Sequence, residues 1–161
     1  MFVVGLLAQS VLAEDWPPFR GPGGLGVSEA KNLPVTWSET ENLKWKVALP
    51  GAGSSSPIVV RDLIFVTCYS GYGIDKENPG EQKDLVRRLL CINSADVKVI
   101  WDRSVEAVLP DLPYKGMFAE HGYASQTPVS DGERIYVFFG KSGLLAFDFK
   151  GKQLWQSSVG T

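Results

Sequence analysis

His121 is the only histidine in 161 residues, and that single count restricts the chemistry open to the chain. A metal site of several imidazoles is excluded, and a Ser-His-Asp arrangement would depend on this one ring. A serine nucleophile on a strained strand-to-helix turn is framed as Gly-x-Ser-x-Gly, and Ser54-Ser55-Ser56 has no such frame. Gly21-Pro22-Gly23-Gly24-Leu25-Gly26 has the spacing of a dinucleotide fingerprint. That motif works only between a strand and a helix whose first N–H groups meet a pyrophosphate. Pro17 and Pro18 precede it, Pro22 lies inside it and no amphipathic helix follows, so the match is formal only. A hard cation needs several oxygens converging at about 2.3–2.6 Å. Glu120 and Asp131 are the carboxylates nearest the segment of interest, and Asp131-Gly132 reads better as a turn.

Tyr72, Tyr114, His121 and Tyr123 are therefore the candidate partner- or ligand-binding residues. Tyrosines offer an apolar ring and a polar tip, the combination that a binding platform uses. Two bland readings stand beside this one: loop tyrosines also simply pack, and a lone histidine next to Gly122 also serves as a structural hydrogen-bonder. No catalytic residue and no metal ligand is assigned.

The elements that would position these residues are short strands. Ala124–Gly160 reads as a four-stranded meander, Thr127–Ser130, Arg134–Phe139, Leu144–Phe149 and Gln153–Val159, broken at Asp131-Gly132, Gly140–Gly143 and Lys150–Lys152. Those breaks favour tight turns or left-handed backbone. The pattern recurs upstream: Leu89–Asn93 matches Leu144–Asp148 at an offset of 55, and Ser56–Val59 and Ile64–Val66 match Thr127–Ser130 and Ile135–Val137 at 71. The difference of 16 residues is an insertion between the second and third strands of the earlier unit. Its strands are expected at Ser56–Val60, Leu63–Cys68, Arg88–Asn93 and Val97–Arg103, with LIFVTC apolar on both faces as in a sheet sandwiched between neighbours. Leu43–Leu49 alternates and places Trp45 in line with Trp101 and Trp155, which reads as the outer strand of a further unit.

Evenly spaced four-stranded repeats are the mark of a β-propeller. The expected fold is therefore all-β: a partial β-propeller of two four-stranded antiparallel blades (54–104 and 124–160) plus one outer strand (43–49). An extended arm (14–42), anchored by Trp16, Phe19 and Arg20, would precede it. Closing a ring takes at least four blades, so the chain reads as a fragment of a longer propeller. No segment has convincing helical periodicity with caps. In an antiparallel meander the loops alternate between the sheet ends, so the long insertions Tyr69–Arg87 and Val105–Tyr123 share one end and the short turns the other. Function collects on loops held by a rigid scaffold, and the insertion end is the candidate face.

Cys68 and Cys91 are compatible with an oxidising or a reducing compartment. The inferred hairpin places Cys91 opposite Val66, with Cys68 as its diagonal neighbour on the same face. Diagonal separations of about 7–8 Å exceed a relaxed disulfide, and two small core residues are expected. Residues 1–13, MFVVGLLAQSVLA, resemble the end of a secretory signal without its basic start. They are too short for a helical membrane span. The net charge of −2, with 16 basic and 18 acidic residues well mixed, argues against a nucleic-acid groove.

The stretches SSPIVVRDLIFVTC and TPVSDGERIYVFFGKSGLLAFDFKGKQLW resemble the pyrroloquinoline-quinone-like (PQQ-like) propeller repeat of the quinoprotein alcohol dehydrogenase-like superfamily. The shared pattern is small-small-Pro, a turn Asp-Gly, an apolar strand, Gly, a strand ending near Asp, Gly-Lys and a last-strand Trp. Trp16–Pro22, WPPFRGP, is similar to the leader of exported proteins of this type, and the resemblance runs from about Asp15 to Gly160. It implies two functions. Many relatives are non-catalytic binding or scaffold modules of the bacterial cell envelope, such as the barrel-assembly lipoprotein of the outer membrane. That is the preferred expectation, with a periplasmic or secreted location, a protein or cell-envelope partner, no transmembrane span and no cofactor. The alternative is a PQQ-dependent dehydrogenase. Such enzymes hold the quinone and Ca²⁺ on the propeller axis, use an aspartate base and often carry a disulfide between adjacent cysteines. This chain has no adjacent cysteine pair, so under that alternative the PQQ and Ca²⁺ ligands would lie in blades outside it.

Overall fold

A computed structural model describes residues 14–160; the expected signal segment lies outside the described residues. Eight strands form two separate antiparallel meanders. The first holds β1 (Ile58–Val60), β2 (Leu63–Ser70), β3 (Val86–Asn93) and β4 (Val99–Glu106) in that order. The second holds β5 (Val129–Ser130), β6 (Arg134–Phe138), β7 (Leu144–Asp148) and β8 (Gln153–Ser157). The all-β expectation and the strand count of both units agree with this arrangement. Among the described residues no helix is long and apolar enough to cross a membrane.

The tight turns follow from side chains that replace missing ladder bonds. Asn93 Oδ1 accepts from the N–H groups of Ala95 and Asp96, Asp131 Oδ1 from those of Glu133 and Arg134, and Asp148 Oδ1 from those of Lys150 and Lys152. These are the local bonds that make Asx residues turn formers. Tyr136 also donates to Asp131 Oδ2 at 2.7 Å, and this bond, ahead of the backbone ones, holds the Asp131 carboxyl down to about 2. Asp131 is thus fully used by its own turn.

The registers of the two sheets correspond. Ile58, Phe65, Cys91 and Trp101 form one row across the first sheet; Val129, Tyr136, Ala146 and Trp155 form the matching row of the second. The ladder irregularity also falls at matching places, between Cys91 and Ile92 and between Ala146 and Phe147. The sheets stack so that the first row meets the reverse face of the second sheet. Ile58, Phe65, Leu89, Cys91 and Trp101 pack with Ile135, Val137, Leu145 and Phe147 in the principal core. Trp101 Nε1 donates to Phe149 O at 2.9 Å across the gap. Its indole lies so close to Gly151 that a Cβ there would come within 2.7 Å of the ring.

Three expectations need correction. Leu43–Leu49 is not a hydrogen-bonded strand; no strand beside it offers a ladder, and its backbone stays unpaired among the described residues. Its position nevertheless fits the repeat, because Val47 and Leu49 cover the outer face of the first sheet over Val66, Cys68, Leu90 and Ile92. Next, Cys91 pairs with Phe65, not Val66. A slip of one residue reverses every side chain, so Cys91 enters the core between the sheets while Cys68 lies under the 43–49 strap, and both are free thiols. Finally, the arm is held by Trp16 but not by Phe19 or Arg20. Trp16 exchanges backbone bonds with Val59, and Pro17 O accepts from Ser130 N, so the arm bridges the first strands of both sheets. Phe19 is exposed, and Arg20 reaches only Leu25 O nearby. The glycine-rich run contains a 3₁₀ turn at Pro22–Gly24 and no α-helix.

Candidate functional site

The two insertions emerge from the same end of the sheets, after Ser70 and after Glu106, and fold onto each other. Tyr69, Tyr72, Leu85, Tyr123 and Ala124 make a second core there, flanked by Ala107, Tyr114 and Phe118. Around Tyr123 the ring of Phe118 stacks at 5.0 Å, with Tyr69 edge-on at 5.5 Å and Tyr72 tilted at 5.6 Å. Each buried hydroxyl finds a backbone partner, as buried polar groups must. Tyr69 donates to Gly73 O (2.8 Å), Tyr123 donates to Leu112 O (2.8 Å), and Tyr72 Oη accepts from Tyr114 N (3.0 Å). Burial, reinforced by Tyr72, pushes the Tyr123 phenol up, and burial followed by the Tyr114 phenol does the same to Tyr69. Tyr69 and Tyr123 are structural donors, and Tyr72 is a structural acceptor.

The sequence-predicted residues therefore separate. Tyr72 and Tyr123, 7% and 2% exposed, belong to the interior of the layer. Tyr114 is half-buried and His121 exposed. The pair lines a hollow of about 210 Å³ with Ser54, Lys76 and Glu120. Ser54 Oγ donates to the main-chain carbonyl of His121 at 2.8 Å, tying the hollow's rim to the segment before β1. His121 ends a short helix, α1 (Met117–His121), inside a stretch expected to be irregular. Five residues hold too little periodicity to be read from sequence. Gly116 and Gly122, at φ 56° and 68°, start and stop the turn where side-chain-bearing residues are strained. A Cβ on Gly122 would come within 2.3 Å of the Tyr69 ring.

A larger hollow of about 420 Å³ is lined by Phe118, Tyr123, Phe138, Lys141 and the pair Arg87–Asp111. Arg87 Nη2 meets Asp111 Oδ2 at 2.7 Å with both side chains 3% exposed. Arg87 Nε donates to Tyr123 O at 3.1 Å, and its guanidinium lies 5.7 Å from the Tyr123 ring centroid. Nη1 is sealed from solvent without a partner. Gln82 clamps Asp111 from behind, its side chain donating to Asp111 O and accepting from Asp111 N. This pair locks one insertion to the other. Neither residue was singled out from sequence: Arg87 reads there as the last residue of an insertion, and only the structure places it inside β3.

Among the described residues no three His, Cys, Asp or Glu side chains group to hold a metal ion. No protein-family model matches the chain, and no curated protein matches it significantly.

Proposed function

We propose that this chain is part of a β-propeller of PQQ-like blades and acts as an exported, non-catalytic binding or scaffold module that uses its insertion end. The propeller reading is supported by the stacking itself. Two sheets with one register and one shared irregularity pack front to back, an arrangement that can be repeated by further blades and closed only by a ring. The observation that carries the functional reading is the order of the insertion end. Two long excursions of unrelated sequence are locked together by Arg87–Asp111 and a tyrosine core, and α1 residues help line two hollows there. Long loops without regular structure are uncommon unless functional or disordered, and these carry a built core. Tyr114, His121 and Lys76 are the exposed or half-exposed groups offered to a partner at the smaller hollow.

Affinity capture from a bacterial cell-envelope extract tests this, followed by titration with the recovered partner. Tyr114→Ala with His121→Ala should weaken binding at least tenfold while circular dichroism stays β-type. Glu133→Ala, in the turn at the opposite end, should leave binding unchanged. Binding indifferent to the first pair, or alcohol oxidation on addition of PQQ and Ca²⁺, would overturn the reading.

A further inference from the structure

We propose that the loop 108–117 seats on an anionic lipid surface, its apolar side chains entering the headgroup layer while lysines face the phosphates. The inference goes beyond the partner-binding proposal, which rests on the smaller hollow.

The loop combines exposed apolar side chains with a backbone that needs no water. Val108, Leu109, Leu112 and Met117 are exposed, and Pro110 and Pro113 stand in solvent beside them. The backbone polar groups at the centre of the loop are already used. The carbonyls of Pro110, Asp111 and Leu112 accept from Lys141 Nζ, Gln82 Nε2 and the Tyr123 hydroxyl, and Pro113 O accepts from Lys115 N. The N–H groups of Asp111, Leu112 and Tyr114 donate to Gln82 Oε1, Asp111 Oδ1 and Tyr72 Oη. The two prolines have no N–H to satisfy. Each such group left bare in an apolar medium costs free energy, so a loop that satisfies them internally can leave water. The N-terminal arm is the counter-example. Leu33, Val35 and Trp37 are exposed too, but none of the three makes a backbone hydrogen bond among the described residues.

The charges of the loop select the surface. Its one acid, Asp111, is buried in the pair with Arg87, so the exposed ionic groups are Lys115 and the neighbouring Lys141. Aliphatic side chains beside lysines are the composition of an interfacial anchor on anionic lipid. None of the loop's exposed residues is Trp, Tyr or Arg, the types that dominate protein contacts. Nor is the loop the face on which a further blade would stack. It stands at the insertion end, over the end of β4 and the Gly140–Ser142 turn, where Ser142 Oγ donates to Glu106 O. Val129 and Trp155, in the open row of the second sheet, mark the face toward such a blade.

Cosedimentation of the full chain with vesicles tests this, comparing phosphatidylglycerol-containing vesicles with pure phosphatidylcholine. The anionic vesicles should bind it at least tenfold more tightly, and added salt should weaken that binding. Leu112→Ser with Met117→Ser, both at exposed sites, should weaken binding at least tenfold and Lys115→Glu at least fivefold, with β-type circular dichroism retained. Leu33→Ser with Val35→Ser in the arm should change nothing. Neither should His121→Ala, which separates this contact from the partner site. A chain indifferent to anionic vesicles overturns the proposal, as does binding that survives the Leu112 and Met117 substitutions or falls equally with those in the arm or at His121. Loss of protein capture in the Leu112 and Met117 variant, with no vesicle binding by the unaltered chain, overturns it in favour of a protein contact.

Discussion

The two sheets share strand order, register and the position of their ladder irregularity, yet they stand in different surroundings. The first is covered on both faces, by the second sheet on one and by Val47 and Leu49 on the other. The second is covered on one face only, and its last strand β8 is exposed throughout. The first also carries the long excursion between β2 and β3, where the second has the short 3₁₀ turn Gly140–Ser142. Equivalent positions thus do different work. Arg87 of the first sheet is a buried ionic lock, whereas its counterpart by the repeat, Ser142, donates one hydrogen bond to Glu106 O at 3.1 Å. A repeated strand pattern specifies the sheet, and the neighbours decide what each copy of a position contributes.

That contrast is open to direct attack, beginning with the lock. Arg87→Ala strands Asp111 as a buried unpaired charge and should cost about 3–5 kcal/mol, whereas Ser142→Ala should cost about 1 kcal/mol. Urea titration of both variants measures the gap; equal losses would mean that the sheets are not differentiated at this position.

Glycines at the two ends should differ next. Gly122→Ala drives a methyl group into the Tyr69 ring at positive φ and should destabilise by about 3 kcal/mol. Gly132 also has positive φ but nothing within 4 Å of an added Cβ, so Gly132→Ala should cost about 1–2 kcal/mol of backbone strain alone. Thermal unfolding of the two variants ranks them.

The thiols extend the comparison to pH. Burial pushes Cys91 up to about 12 and, with Asp102 adding to the effect, Cys68 up to about 11, from 9.0 in the unfolded chain. A raised folded value stabilises fully below pH 9.0, and that contribution is lost as pH rises through about 11 and then about 12. Urea midpoints should therefore fall above pH 9.0, and Cys68→Ala with Cys91→Ala should flatten part of that fall. An unchanged slope would place the sensitivity elsewhere.

The smallest effect concerns the tyrosine layer. Tyr72→Phe removes the acceptor of the Tyr114 N–H but keeps the ring, and should cost about 1 kcal/mol. Hydrogen exchange at Tyr114 should accelerate with no change in β content. A loss several times larger would show that the hydroxyl supports more than this bond.

The strands were legible in sequence because their information is local. Alternation, Asx turns at Asn93, Asp131 and Asp148, and the recurring Pro, Gly and Trp positions determined two four-stranded sheets and located both insertions at one end. The fate of individual side chains was not legible, because it depends on atoms distant in the chain. Whether Cys91 faces Phe65 or Val66 turns on a single residue of register, and that choice sends the two thiols to opposite faces. Tyr72 and Tyr123 became interior because Phe118 and Leu85 pack with them; Tyr114 stayed half-buried at the edge of that layer and His121 exposed beyond it. Arg87 found Asp111 only when the two insertions met, since an ion pair across 24 residues of sequence leaves no periodic trace. Leu43–Leu49 has the composition of a strand, but a strand also needs a partner's N–H and C=O groups. Only the tertiary structure could show that here they are absent and that Val47 and Leu49 cover the face by side-chain packing alone.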